Sequence, residues 1–261
     1  MMKKVLLVVL TFLLALLLVA CGGNAEVDKD DPLADIKARG ILRVGVKNDV
    51  PGFGLLNPAN DEYEGMEIDL ANMIAYEIFG EEGHVQLTPV TAETRGILLE
   101  NEQIDLVIAT FTIKPERLEK FNFSEPYYTD SVGLLVETKS GIADISMLDG
   151  KKVGVSAGST SKDALAEYAP GMDIKFIEYS NYPDISGALS EGLIDAFCVD
   201  RSILNGYNTE DREILPDTFS PQEYGIASAK SNKALAEFVD NFVKNLKAGD
   251  RYGLLLEKNG L

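Results

Sequence analysis

Short apolar runs alternate with amphipathic stretches along most of this chain. ILRVGV (41–46), IDLVIAT (104–110), KKVGVS (151–156) and IDAFCVD (194–200) read as buried strands. The segments between them carry helical patterns, and such alternation predicts βαβ units with parallel sheets. SEPYYTDSVGLLVET (124–138) and FSPQEYGIASAK (219–230) read as extended, β-rich segments around Pro or Gly, as two strands joining separate halves would. The tail from Ser231 sets Ala234, Phe238, Phe242 and Leu246 at helical spacing and is expected to pack back on the first half as core. The run Val5 to Ala20 differs in kind. Its sixteen residues follow Lys3 and Lys4. That is short for a membrane span, which needs about 20 apolar residues, and it suits a signal peptide. GGNAEVDKDD (22–31) is polar and aperiodic, and it reads as a flexible tether.

Two pairs of segments resemble each other. ILRVGVKND (41–49) matches GKKVGVSAG (150–158), sharing Val-Gly-Val, and ENEQIDLVIAT (100–110) matches SEGLIDAFCVD (190–200), sharing Ile-Asp. A domain-sized unit therefore occurs twice, and a chain of 261 residues with 46% hydrophobic content can form two modest domains. The expected division is a signal peptide at 1–20, a tether at 21–36, one lobe from 37–130 with 225–261, and a second from 131–224. In open α/β sheets, ligands collect at the carboxyl ends of parallel strands. Here those ends are Asp49, Thr110, the loop Gly158-Ser159-Thr160, and Asp200, drawn from both halves. Two lobes meeting at such rims enclose a cleft.

Charge and cysteine count narrow the function. The formal charge is −18, and removing residues 1–20 with their two lysines makes it −20. A basic nucleic-acid footprint is absent, and so acidic a surface disfavours anionic lipid. Cys198 lies in an apolar strand and reads as a buried structural thiol. His84 is the only histidine, so no His-based metal cluster and no Ser-His-Asp triad is expected. The sequence calls for no cofactor, no metal and no catalytic residue.

The candidate binding residues each have a plainer role beside the functional one. In IATFTIKPER (108–117), Pro115 opens a short helix and Arg117 falls in its first turn, where the macrodipole disfavours a cation. Arg117 is either a guanidinium fork for a carboxylate or the partner of Glu116 or Glu119. Thr110 and Thr112 would add hydroxyl donors. Arg95 also lies near a helix start, with Thr91 as a cap, and it either awaits an anion or is a solvated arginine. Ser159 and Thr160 precede the helix SKDALAEY, where backbone N–H groups suit an anion, or else Thr160 caps that helix. Asp200 either takes an ammonium group or caps RSILNGY. Asp49 takes the same group or holds a turn. Cations for one or two carboxylates beside acids for an amine outline an amino acid. No nucleophile–base pair is evident, so binding fits better than catalysis.

Particular motifs add a resemblance. Leu18-Val19-Ala20-Cys21 resembles the lipobox of bacterial lipoproteins, in which the cysteine is acylated, and the resemblance implies that Cys21 is the lipid anchor. IKARGILRVGVKNDVPGFG (36–54), EGMEIDLANMIA (64–75), IDLVIATFTIKPERLEKFNFSEPYY (104–128), KKVGVSAGSTS (151–161), IDAFCVD (194–200) and SPQEYGIA (220–227) resemble the family 3 extracellular solute-binding proteins of polar amino-acid ABC transporters. The resemblance implies a type II periplasmic-binding-protein fold, two doubly wound α/β lobes closing about a two-strand hinge. Arg117 would then clamp the α-carboxylate with Thr112, Ser159 and Thr160, and Asp200 would take the α-ammonium with Thr110 nearby. Arg95 matches the arginine that meets the side-chain carboxylate in aspartate- and glutamate-binding relatives. Asp49 stands in a shorter loop than in those relatives, Phe53 is the only aromatic there for stacking, and Met66 replaces a usual Phe or Tyr. The implied ligand is glutamate or aspartate, then glutamine, with cysteine or cystine further off. The implied partners are an ABC permease with its cytoplasmic ATPase. The protein would be a monomer outside the cytoplasm, held to the membrane by lipid alone. Alternatives on the same fold are an enzyme of the cyclohexadienyl-dehydratase type and a ligand-sensing module for a membrane receptor.

Overall fold

The computed structural model describes residues 33–261; the signal peptide, Cys21 and most of the tether lie outside them. Helix α1 (Ala34–Arg39) buries Leu33 and Ile36 and ends on left-handed Gly40. The last residues assigned to the tether are therefore helical, because an apolar pair there finds a core to cover.

Two sheets carry the fold. The first runs in the order β5 (Val85–Pro89), β1 (Leu42–Val46), β6 (Leu106–Ile108), β14 (Ala227–Ala229), β7 (Phe121–Phe123). The second runs β10 (Lys175–Tyr179), β9 (Lys152–Ser156), β11 (Ala196–Asp200), β8 (Tyr128–Glu137), β12 (Arg212–Ile214), with β13 (Phe219–Tyr224) also paired to β8. Each sheet holds a parallel trio, β5-β1-β6 and β10-β9-β11. The rest is antiparallel, against the all-parallel expectation, because β14 and β8 belong to the segments that pass between the sheets and run the other way. Those segments pair with each other, Tyr128 opposite Tyr224 and Asp130 opposite Gln222, so the halves are joined by two adjacent strands. This is the type II periplasmic-binding-protein arrangement. A small sheet, β2 (Asp49–Val50), β3 (Gly54–Asn57) and β4 (Glu62–Glu64), follows β1.

The internal repeat is visible atom by atom. Asp105 and Arg43 exchange backbone N–H to carbonyl and N–H to carboxylate bonds, each 2.8 Å, and Asp195 does the same with Lys152. Each aspartate thus sets the register of a parallel pair, β1–β6 or β9–β11. The isoleucine before it fills the space over the Val-Gly-Val glycine. A methyl on Gly45 would lie 2.6 Å from Ile104 Cδ1, and one on Gly154 2.5 Å from Ile194 Cδ1. A side chain at either place would force that isoleucine to move.

Helices cover the sheets. Helix α2 (Met66–Phe79) packs on β1 and β6, burying Ile68, Leu70, Ala71 and Ile74, and α3 (Thr94–Glu100) packs on β6. Helix α5 (Ser161–Tyr168) lies against β11 and α6 (Tyr182–Ser190) against β9. The tail forms α8 (Lys233–Ala248) and α9 (Arg251–Lys258), with α8 on β7 and β14 of the first sheet. Its buried stripe is Leu235, Val239, Phe242, Val243 and Leu246; Ala234 and Phe238 sit at the edge, one position off the expected face. Among the described residues, no helix is long and apolar enough to cross a membrane.

Candidate functional site

The carboxyl end of β6 turns sharply. Thr110 has φ +44°, a left-handed conformation that a β-branched residue rarely adopts and that needs support from its surroundings. The fully buried Glu67 supplies it, accepting the Thr110 N–H at 2.5 Å and the Tyr127 hydroxyl on the same oxygen. The turn points the Ala109 and Thr110 carbonyls at Arg95, whose Nη1 donates to them at 2.5 and 3.1 Å. Arg95 comes from α3, where the Thr91 hydroxyl accepts the Thr94 N–H and the Thr94 hydroxyl accepts the Thr91 N–H. Its guanidinium lies over the Phe111 ring at 4.4 Å, and that of Arg117 lies over the same ring at 4.7 Å, a favourable cation–π arrangement.

Arg117 occupies α4 (Pro115–Leu118), a single turn, so it stands in the last turn as much as the first, and the expected macrodipole conflict disappears. It donates to the Thr112 carbonyl at 2.8 Å and, across the cleft, to the Gly158 carbonyl at 3.3 Å. Glu116 pairs with Lys114 instead, at 3.6 Å. The halves touch here. Gly158, at φ +73°, runs so close to α3 that a Cβ would lie 2.8 Å from Glu93 Cα.

From the second half, Asp200 ends β11 and is buried. Its Oδ2 accepts the Tyr224 hydroxyl at 2.5 Å. It does not cap the following helix α7 (Arg201–Asn205) through its side chain, because Asp130 accepts the Ser202 N–H there at 3.0 Å. Thr160 likewise does not cap α5; its hydroxyl donates to Gln222 Oε1 at 2.8 Å, as does that of Thr112. Ser159, half-buried, accepts the Ser161 N–H weakly at 3.4 Å.

Asp49 is committed to protein partners. One oxygen lies 3.0 Å from Lys47 Nζ, the other accepts the Tyr182 N–H at the start of α6 (3.2 Å), and its carbonyl accepts the Tyr207 hydroxyl. It links the halves at the cleft's flank. Phe53 and Met66 are fully buried core residues, and Phe53 meets Tyr128 and Tyr224 edge-on at 5.0 and 5.8 Å. Phe53 backs the tyrosine that holds Asp200.

Burial sets the electrostatics. It pushes Glu67 up to about 7 against the bonds from Tyr127 and Thr110, and Asp200 up to about 7 against the bond from Tyr224. Burial, with Arg95 nearby, draws Arg117 down to about 9, which leaves it charged at neutral pH. Lys47 is lowered by burial, with Asp49 opposing. Among the described residues, the buried side-chain atoms without a hydrogen-bond partner are Asp49 Oδ1 (ion-paired with Lys47), Glu67 Oε2, Arg95 Nε, Ser156 Oγ, Ser161 Oγ and Asp200 Oδ1. A buried donor or acceptor left unpaired costs about 1–3 kcal/mol. Arg95 Nε and Asp200 Oδ1 thus leave one donor and one acceptor open to a polar ligand or to water.

Lys47, Glu67, Phe111, Tyr127, Tyr182, Gln222 and Tyr224 were absent from the sequence-derived set. Lys47 directly follows β1, so the strand-end rule that selected Asp49 covers it too. Glu67 interrupts an apolar stripe between Met66 and Ile68, the signal of a buried acid.

Two α/β halves joined by paired strands, with buried charges of both signs on facing rims, define a two-lobed binding protein for a small polar solute. The sequence profile of the bacterial extracellular solute-binding proteins, family 3, matches residues 42–260. A glutamine-binding protein of an ABC transporter from Bacillus subtilis is 38% identical over 98% of this chain and 97% of its own. A glutamate-binding protein from Corynebacterium efficiens is 29% identical over 93% and 85%. Among solved structures, an ancestral amino acid-binding protein, a precursor of cyclohexadienyl dehydratase, superposes with TM-score 0.78 at 30% identity, covering 87% of this chain and 98% of that one. The chain belongs to the family 3 extracellular solute-binding proteins.

Proposed function

We propose that the protein captures a polar L-amino acid between its halves and delivers it to an ABC permease, with glutamine favoured over glutamate and aspartate. The observation that carries this reading is the pairing of unsatisfied groups: a buried Arg95 donor and a buried Asp200 acceptor, with Arg117 beside them. A zwitterion supplies a partner for each sign. Arg117 takes the α-carboxylate and Asp200 the α-ammonium, each through charge-assisted bonds. Arg95 alone would favour an acidic side chain. An arginine also donates to an amide oxygen, however, which admits glutamine in the same place. The glutamine-binding relative from Bacillus subtilis supports the same preference.

Cys21, acylated after removal of residues 1–20, anchors the protein outside the cytoplasm; labelled palmitate should enter the wild type and not Cys21→Ser. A thermal-shift screen of the mature chain against the twenty amino acids and cystine tests the ligand. A binder at about 100 Kd adds about 2.7 kcal/mol of stability, and glutamine should give the largest shift. A flat response across the panel would sink the reading.

One observation favours a second reading. Glu67 is a buried carboxyl pushed to about 7, the character of a general acid, and the fold is shared with a dehydratase precursor. One Glu67 oxygen is already engaged by Thr110 and Tyr127, which favours support of the turn over proton transfer. Release of an aromatic product from a cyclohexadienyl acid, absent in Glu67→Gln, would establish the enzyme.

A further inference from the structure

Gln222 lies on β13, one of the two strands joining the halves, and is buried to 1% exposure. Its side-chain nitrogen donates to the Ser220 carbonyl at 2.9 Å and the Ser220 hydroxyl at 3.2 Å. Ser220 is brought round to it by a left-handed φ of +49° at the irregularity between Phe219 and Pro221. A carbonyl can only accept, so the amide nitrogen must face Ser220 and Oε1 must face the cleft. That oxygen accepts from the Thr112 and Thr160 hydroxyls, each at 2.8 Å. All four hydrogen-bonding positions of the amide are then filled. Thr112 sits on the rim of the first sheet, and Thr160 in the loop after β9 of the second. Tyr224, two residues along the same face of β13, holds Asp200 and forms a β-bridge with Thr112.

We infer that Gln222 is a positioning residue for ligand capture: its amide oxygen ties the two rims together through Thr112 and Thr160 when the cleft is closed. The tie has a chemical corollary. A threonine hydroxyl has one proton, and each of these gives it to Gln222. The Thr112 and Thr160 hydroxyls therefore have no proton left for a ligand carboxylate, which leaves only their main-chain N–H groups as donors to it. The sequence-based expectation of hydroxyl donors at Thr112 is reversed by this geometry. Gln222 reads no part of the ligand itself, so it should govern how long the cleft stays shut and leave the choice of ligand alone.

The inference rests on the proposed amino-acid function, and the test separates the two. Binding and dissociation rates for glutamine and glutamate are measured on the wild type, Gln222→Met, Thr160→Val and the double variant, with melting of each ligand-free protein as a folding check. Gln222→Met should weaken both amino acids by about tenfold, the effect of one or two buried neutral hydrogen bonds, mainly through faster dissociation. The ratio of the two affinities should not change. The double variant should bind no more weakly than the weaker single one, since both break the same tie. Thr160→Val keeps the test open if Gln222→Met does not fold: it too should speed dissociation of both ligands equally. Unchanged dissociation, losses that simply add, or a shifted glutamine-to-glutamate ratio would overturn the tie while leaving the function intact. A wild type that binds no amino acid would overturn both.

Discussion

The two halves of the molecule agree at one end of their strands and diverge at the other. Where the parallel pairs begin, Asp105 and Asp195 make the same two backbone bonds, and Ile104 and Ile194 cover the same glycine position. Where those strands end, the first half presents Lys47, Arg95 and Arg117, and the second presents Asp200 with Thr160. A duplicated scaffold thus keeps its pairing register while its rims carry different charged groups. The amino ends of the strands report on stability and the carboxyl ends on recognition, and substitutions should separate accordingly.

The largest expected effect is on the cationic rim. Arg117→Ala removes the partner of the α-carboxylate and should cost about 3–5 kcal/mol, on the order of a thousandfold in affinity, for every amino acid. Titration calorimetry checks this, and near-normal affinity would return Arg117 to a merely structural bridge between Thr112 and Gly158.

On the acidic rim, Asp200 must be ionised to take an ammonium group. Burial holds it at about 7, so affinity should fall as pH drops below 7, by up to about tenfold per unit. Stability of the ligand-free protein should move the other way. The folded state keeps protons on Asp200 and Glu67 up to about 7, whereas the unfolded chain releases them near the ordinary carboxyl range. Their contribution is therefore present at low pH and lost as pH rises towards 7. Melting curves across that window should show the decline, flattened in Glu67→Gln; the same slope in that variant would remove Glu67 from the explanation.

The smallest effect tests the repeat itself. Asp105 also gathers Arg39 and Arg43, while Asp195 adds only the more exposed Lys151 at 3.5 Å. Asp105→Ala should destabilise by about 1–3 kcal/mol and Asp195→Ala by about 1 kcal/mol or less, both with unchanged ligand affinity. Denaturant unfolding would show the order, and a reversed order would mean the two aspartates are not equivalent register pins.

The repeat was legible because it is written in short contiguous words, Val-Gly-Val and Ile-Asp, whose partners follow the parallel-strand pattern. Thr110 and Asp200 were legible because they stand at strand ends, whereas Arg117 was singled out by a macrodipole conflict that its one-turn helix removes. Gln222 was not, since its hydroxyl partners lie 110 and 62 residues away and nothing local marks it. Asp49 read as a free rim acid because the sequence cannot show Tyr182 and Lys47 arriving to occupy it. Phe53 read as a stacking surface for the same reason: the tyrosines that bury it come from the joining strands.

The claim that opposite halves grip opposite ends of a zwitterion is tested most directly by pairing a ligand change with a protein change. Affinities of glutamine and its des-amino analogue are measured on the wild type and on Asp200→Asn. The wild type should prefer glutamine by about a hundredfold or more, and Asp200→Asn should shrink that preference below about tenfold, because the carboxylate that reads the ammonium is gone. An undiminished preference in Asp200→Asn would contradict the account.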